Sequence, residues 1–357
     1  MRDPIGVVAC ITPWNFPIAI PTWKMFPALV AGNTVVFKPA SDTPLSALRL
    51  VEVLYEAGFP DGVVNIVFGP GGTVGEALLH NPDVAVISFT GSIESGRHVA
   101  MEAAKSLKRV SLEMGGKNAV IVMDDADLNL AVEGILWSAY GTTGQRCTAC
   151  SRVIVHNSVS EQLVDMLVPR IEQLHLGNGL DESVDVGPVI NSTQLAKIHS
   201  YTQIGKDEGA TLVIGGYPDL EGELARGNFY RPTLFTDVRP NMRLAQEEIF
   251  GPVLSVIEVH SFEEAIAVNN NTRFGLSSAI YTQDINRVQQ ATRDITTGIL
   301  YINSGTTGAE IQFPFGGTRG TGNGHREAGI AGLDVFTEWK VVYTDYSGRL
   351  QKAQIDQ

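Results

Sequence analysis

One thiol stands at the end of an apolar helical run, behind the two glycines of Gly141-Thr142-Thr143-Gly144-Gln145-Arg146-Cys147. A lone cysteine so placed reads as a nucleophile. Upstream, in Leu112-Glu113-Met114-Gly115-Gly116-Lys117, a carboxylate closes a β-like run and paired glycines follow it. That carboxylate could serve as the matching base, and the pair predicts covalent chemistry on a carbonyl.

Such groups need elements to hold them in register. β-branched runs over 5–12, 34–38, 63–68, 84–89 and 109–113 alternate with helical patterns over 18–31, 44–58, 73–80 and 93–107. Repeated βαβ units predict a mostly parallel sheet covered on both faces, with ligands at the carboxyl ends of its strands. Thr12-Pro13-Trp14-Asn15, Lys38-Pro39-Ala40-Ser41, Gly69-Pro70-Gly71-Gly72 and Phe89-Thr90-Gly91-Ser92 all fall there. A second α/β series begins after Gly116, with strands over 118–123 and 151–156 around a long helix (127–140) and the Cys147 loop. Two domains with a cleft between them and a tight hinge at Gly115-Gly116 are expected. An alternating run over 335–346 is a terminal strand of the kind that pairs with another subunit.

Composition narrows the function. The chain has 357 residues, 44% of them hydrophobic, enough for two cores. Its net charge of -13 comes without any basic run, which argues against a nucleic-acid partner. No bilayer-length apolar stretch and no signal-peptide pattern occurs, so a soluble cytoplasmic protein is expected. Three cysteines, an odd count, argue against a disulfide framework, and seven scattered histidines indicate no metal site.

In this order, Pro13-Trp14-Asn15-Phe16-Pro17, Lys38-Pro39, Phe89-Thr90-Gly91-Ser92, Leu112-Glu113-Met114-Gly115-Gly116-Lys117, Gly144-Gln145-Arg146-Cys147, Glu247-Glu248-Ile249-Phe250-Gly251-Pro252 and Pro314-Phe315-Gly316-Gly317 resemble the signatures of the aldehyde dehydrogenase superfamily. The match covers nearly the whole chain. It implies a Rossmann-like doubly wound cofactor domain over 1–115, an α/β catalytic domain over 116–318, and a return to the cofactor domain with an oligomerisation strand over 319–357. The implied reaction is NAD(P)-dependent oxidation of an aldehyde to a carboxylic acid through a Cys147 thiohemiacetal and thioester. Glu113 would be the general base, Asn15 would join the Cys147 N–H in the oxyanion hole, and Lys24 and Glu327 would relay or support proton movement. Thr12, Pro13, Trp14, Lys38, Ser41, Gly71, Gly91, Ser92, Glu248 and Phe250 would hold NAD or NADP. Phe16, Trp23, Arg146 and Phe315 would face the aldehyde.

Several of these residues have plainer readings. Trp14, Phe16 and Trp23 are core aromatics or the walls of an aldehyde tunnel, with nothing in the sequence to separate the two. Cys147-Thr148-Ala149-Cys150 is formally a C-x-x-C redox pair, though its place after a long helix speaks against that, and Cys10 reads as a small core residue. Ser41 stands where NAD-selective members often carry a glutamate, so use of both cofactors is expected, with a leaning to NADP. The first residues match a point well inside the family's cofactor domain, which implies an N-terminally shortened member with a more open aldehyde site and a broad substrate range. A homodimer joined through helix 93–107 and the terminal strand follows, with a tetramer as alternative. Arg146 and the loop from Ser304 to Glu310 resemble semialdehyde-oxidising branches. A non-catalytic assembly protein and a CoA-acylating dehydrogenase are the rival functions; retention of Asn15, Glu113 and Cys147 speaks against the first, and Glu113 against the second.

Overall fold

The computed structural model describes residues 1–349. Its strands are β1 (Arg2–Pro4), β2 (Val7–Ile11), β3 (Thr34–Lys38), β4 (Val64–Ile66), β5 (Val84–Thr90), β6 (Arg109–Glu113), β7 (Asn118–Val122), β8 (Cys150–His156), β9 (Thr211–Ile214), β10 (Thr233–Thr236), β11 (Val253–Val259), β12 (Ser277–Tyr281), β13 (Ile299–Ile302) and β14 (Thr337–Trp339). Five form a parallel sheet in the order β4-β3-β2-β5-β6. Because β2 begins this series yet lies in the middle, the winding reverses between β2 and β5, and a crevice opens at their carboxyl ends. Helices α1 (Ala19–Val30), α2 (Pro44–Glu56), α3 (Glu76–His80) and α4 (Ile93–Ala104) pack on its faces. Val8, Cys10, Val35 and Phe37 meet Met25, Ala28 and Val51 on one side, while Ala9, Ile87 and Leu112 meet Leu79, Ile93 and Val99 on the other. Cys10 is thus a core residue.

The second sheet runs β13-β12-β7-β8-β11-β10-β9, parallel except for β9 on β10. β7 is buried at every position, as the all-apolar pattern of a strand covered on both faces requires. Helix α5 (Leu128–Tyr140), capped where the Asp127 carboxylate accepts the Leu130 N–H, packs on this sheet and leads into the Cys147 loop. Asn118 and Cys150, at the amino ends of β7 and β8, are paired in register, so the Cys147 loop is delivered to that end.

The terminal strand is shorter than its pattern: Thr337–Trp339 is extended and pairs antiparallel with Arg2–Pro4 of the same chain. Val335 belongs to a 3-10 turn, Ile330–Val335, and the ladder ends where Met1 and Lys340 exchange hydrogen bonds. Among the described residues no helix is long and apolar enough to cross a membrane.

Candidate active site

Beyond Tyr140 the chain turns sharply. Thr142, Thr143 and Gly144 adopt φ of +55°, +58° and +66°, three left-handed residues in succession, a conformation that needs support from its surroundings. Thr143 Oγ1 donates to the Gly187 carbonyl (2.9 Å), and Gln145 Oε1 accepts the Ile190 N–H (3.0 Å). Asn118 completes the clamp. Its Nδ2 donates to the carbonyls of Cys147 (2.7 Å) and Ala149 (2.9 Å), while its Oδ1 accepts the Ser277 N–H (3.0 Å). Gly116 makes this approach feasible, since a Cβ there would lie 2.5 Å from the Cys147 carbonyl oxygen. All three cysteines are free, and the Cys150 thiol is turned to the Arg152 carbonyl.

Two cavities meet at Cys147. One, of about 290 Å³, is walled by Phe16, Trp23, Phe315, Arg146 and Thr307, with Glu113 and Glu327 on its lining. The other, of about 210 Å³, is lined by Pro13, Trp14, Asn15, Gly91, Ser92, Glu248 and Phe250. Trp14 meets Phe250 edge-on at 5.5 Å, and Trp23 meets Phe315 at 5.4 Å. Asn15 Nδ2 donates to the Gln145 carbonyl (3.1 Å), which ties the segment after β2 to the nucleophile loop.

Electrostatics favour neutral resting groups. Burial, reinforced by the carboxylates of Glu113 and Glu248, pushes the Cys147 thiol up to about 12. Glu113 ends β6 with both carboxyl oxygens buried and unpartnered. Burial and then the Glu327 charge hold it well above the ordinary carboxylate range, with Lys24 and Arg326 offsetting part of this. Beside it, Lys24 and Glu327 form a buried ion pair, and the Lys24 ammonium also donates to Ser88 Oγ (3.2 Å).

Residues 1–342 match the model of the aldehyde dehydrogenase family. This chain belongs to that family. An alpha-ketoglutarate semialdehyde dehydrogenase of Haloferax volcanii is 47% identical over 97% of this chain and 71% of its own. Betaine aldehyde dehydrogenase of Bacillus subtilis is 43% identical over 96% of this chain and 70% of its own. The crystal structure of betaine aldehyde dehydrogenase from Staphylococcus aureus in complex with NAD+ superposes with a TM-score of 0.93 at 39% identity, over 95% of this chain and 67% of that one. The chain therefore spans about 70% of the length of the curated relatives cited here. As a member of the family it is an oxidoreductase that oxidises aldehydes with NAD or NADP.

The residues present fit a dinucleotide. In this aldehyde dehydrogenase the Glu248 carboxylate accepts the Gly116 N–H (2.9 Å), and any side chain at Gly115 would collide with it. Ser92 caps α4 by accepting the Ser95 N–H, and earlier first-turn N–H groups have no intrahelical partner, which suits an anionic ligand. Of the expected site residues, Lys24, Thr12, Lys38, Ser41 and Gly71 lie outside both cavities. Thr12 and Lys38 are buried where β2 and β3 end, Lys38 Nζ donating to the Pro39 carbonyl (2.9 Å), whereas Ser41 and Gly71 are exposed. Sequence reasoning missed Asn118, Gln194 and Lys197. The last two sit on a helix, Ser192–Asp207, and line the second cavity, but no local pattern marks a helix that reaches it from a hundred residues away along the chain.

Proposed function

We propose that the Cys147 thiol gives its proton to Glu113 as its sulfur bonds to the aldehyde carbonyl carbon at the junction of the two cavities, with the Asn15 amide and the Cys147 N–H stabilising the oxyanion that forms. When bound in the second cavity, the nicotinamide supplies the acceptor for the aldehyde hydrogen and its electron pair. Glu113 takes a proton from the attacking water, the water oxygen bonds to the thioester carbon, and the C–S bond breaks to release the acid. The Glu113 pKa, held above the ordinary carboxylate range by burial, makes it a stronger base toward that water than a solvated carboxylate. Lys24, Ser88 and Glu327 form a buried polar chain that reaches the cavity through Glu327 and supports proton departure.

Glu248, Phe250, Ser92 and Trp14 would hold the cofactor near the thiol, with Lys38 and Ser41 on its adenosine side. An exposed Ser41 in place of a carboxylate favours acceptance of NADP as well as NAD, although the Asp42 carboxylate stands next to it. The two sheets would act as a cofactor domain and a catalytic domain hinged at Gly115-Gly116. Free thiols agree with a cytoplasmic setting. Exposed Met101 and Leu107, on and after α4, support a homodimer through that helix, which light scattering would test.

One observation carries the reading: a single thiol is shared by two cavities, one with a buried, unpartnered carboxylate on its lining. Absorbance of the reduced nicotinamide, followed with NAD and NADP separately, an aldehyde panel of varied length and Cys147→Ala as control, tests it. Reduction abolished in the variant is expected. No reduction by folded wild-type protein would move the non-catalytic reading to first place, and reduction only with added CoA the acylating one.

A further inference from the structure

Glu113 ends β6, the last strand of its sheet, so β5 supports it on one side only. Neither carboxyl oxygen has a partner, and the side chain is therefore placed by its backbone and by the walls around it. A strand end at a sheet edge is a poor mount for a base, because a row of its N–H and C=O groups faces no neighbouring strand. Here the segment Thr321-Gly322-Asn323 fills that place. Asn323 Oδ1 accepts the Leu112 N–H (3.0 Å), and its Nδ2 donates to the Val110 carbonyl (2.7 Å). Gly322 forms an antiparallel bridge with Glu113 itself.

Thr321 grips the residues that follow the base. Its carbonyl accepts the Met114 N–H (2.7 Å), while its hydroxyl donates to the Gly115 carbonyl (2.9 Å) and accepts the Gly275 N–H (3.0 Å). Gly275 leads into β12, so one buried hydroxyl ties the end of β6 to the second sheet. The Gly115 carbonyl shares a peptide unit with the Gly116 N–H, which Glu248 accepts, and this hinge peptide is thus held at both ends. The same turn walls the carboxyl: a Cβ at Gly316 would stand 2.6 Å from Glu113 Oε1, and one at Gly322 3.7 Å. Gly317 lets the turn close, since a Cβ there would lie 2.3 Å from Thr321 Cγ2. Neither Thr321 nor Asn323 lines the cavities at Cys147, so both act on the reaction through what they hold.

We propose that Thr321 and Asn323 are positioning residues for the reaction, holding the end of β6 so that the Glu113 carboxyl reaches the water that opens the thioester. The proposal rests on the reading that Glu113 is the base. A carboxyl without hydrogen bonds of its own gains its aim from the peptides on either side, and a displacement of about 1 Å costs on the order of 100-fold in turnover. Threonine suits the place because one hydroxyl donates to a carbonyl and accepts an N–H at once. Valine has the same shape and does neither.

The test uses the full chain with NAD or NADP and an aliphatic aldehyde. Thr321→Val should lower kcat by about 10- to 100-fold, with the KM for aldehyde and for cofactor within about threefold of wild type. Thr321→Ser, which keeps the hydroxyl, should stay within about threefold of wild type throughout. Asn323→Ala loosens the same segment at an exposed position that folding tolerates, and should lower kcat by roughly 3- to 10-fold. On a Glu113→Gln background, Thr321→Val should change kcat by less than about threefold, because residues that act as a unit are not additive. The infrared band of the protonated Glu113 acid, assigned by its loss in Glu113→Gln, gives a readout independent of turnover. It should shift in Thr321→Val and Asn323→Ala and keep its wild-type place in Thr321→Ser. Turnover within threefold of wild type for both Thr321→Val and Asn323→Ala, a loss that recurs in full on Glu113→Gln, or a band that neither variant moves overturns the proposal. Glu113→Gln oxidising aldehyde at the wild-type rate would sink the base reading while the band still decided the positioning one; an unmoved band beside a large Glu113→Gln loss would do the reverse.

Discussion

Asn118 offers the sharpest test of how the nucleophile is held. Asn118→Ala deletes a side chain that closes three hydrogen bonds, two from Nδ2 to the Cys147 and Ala149 carbonyls and one to Oδ1 from the Ser277 N–H. At 3% exposure water does not readily replace them. At about 1 kcal/mol per bond, and more for each group left buried and unmatched, the loss is roughly 3–5 kcal/mol. A freed Cys147 peptide also shifts the thiol and the oxyanion donor together, and a misplacement of about 1 Å costs on the order of 100-fold in turnover. Asn118→Asp carries the argument further. One oxygen still accepts from Ser277, but the other now faces two carbonyl oxygens at 2.7 and 2.9 Å. Only the protonated acid can donate to them, so folding raises its pKa above about 3.9. The stability it contributes is then fully present below the unfolded value and lost as pH rises through the folded one. Circular-dichroism melting from pH 5 to 9, with steady-state kinetics, is the assay. A drop on the order of 5 °C or more for Asn118→Ala is expected, and for Asn118→Asp a deficit that grows with pH. Melting within 1 °C of wild type and turnover within threefold for Asn118→Ala, or a flat pH profile for Asn118→Asp, would refute the clamp.

Other expectations concern the neighbouring groups. Glu113→Gln should lower aldehyde oxidation by about 10²- to 10⁴-fold. Because folding raises the Glu113 pKa, the acid's contribution is intact below about pH 4.3 and lost as pH climbs, so the same variant should melt higher than wild type at pH 8 and not at pH 4. It also removes one of the anions that disfavour the thiolate, so the midpoint for iodoacetamide labelling of Cys147 should move down in pH. Gly116→Ala should destabilise by roughly 1–3 kcal/mol, because its Cβ meets backbone that cannot yield, whereas Gly115→Ala should displace the Glu248 side chain and weaken cofactor binding measured by fluorescence. Lys24→Met leaves Glu327 buried without its cation and should cost about 3–5 kcal/mol in unfolding measurements; Lys24→Met with Glu327→Leu should recover most of it.

The βαβ alternation was legible because β-branched runs covered on both faces leave a plain pattern, and β2, β3, β5 and β6 lie within a residue or two of their expected bounds. The terminal strand came out shorter than its pattern because alternation over 335–346 reports two-sidedness but not the presence of a partner edge; within the chain Arg2–Pro4 supplies that edge for three residues. Trp14, Phe16 and Trp23, left open between core and tunnel, all line cavities that meet at Cys147. Cys10, read as core, is fully buried in the sheet.

The sequence by itself determined the chemistry on offer. A thiol behind glycines, a carboxylate before paired glycines, and an amide in Pro13-Trp14-Asn15 are local features whose roles depend on residue type. Tertiary structure decided what those groups feel and what they can meet. The unpartnered state of Glu113, the rise of the Cys147 thiol, the Asn118 clamp and the hold of Thr321 on the Gly115 carbonyl join residues distant along the chain. Burial and distance, which set these energies, are properties of the packed fold and leave no trace in spacing along a strand or helix.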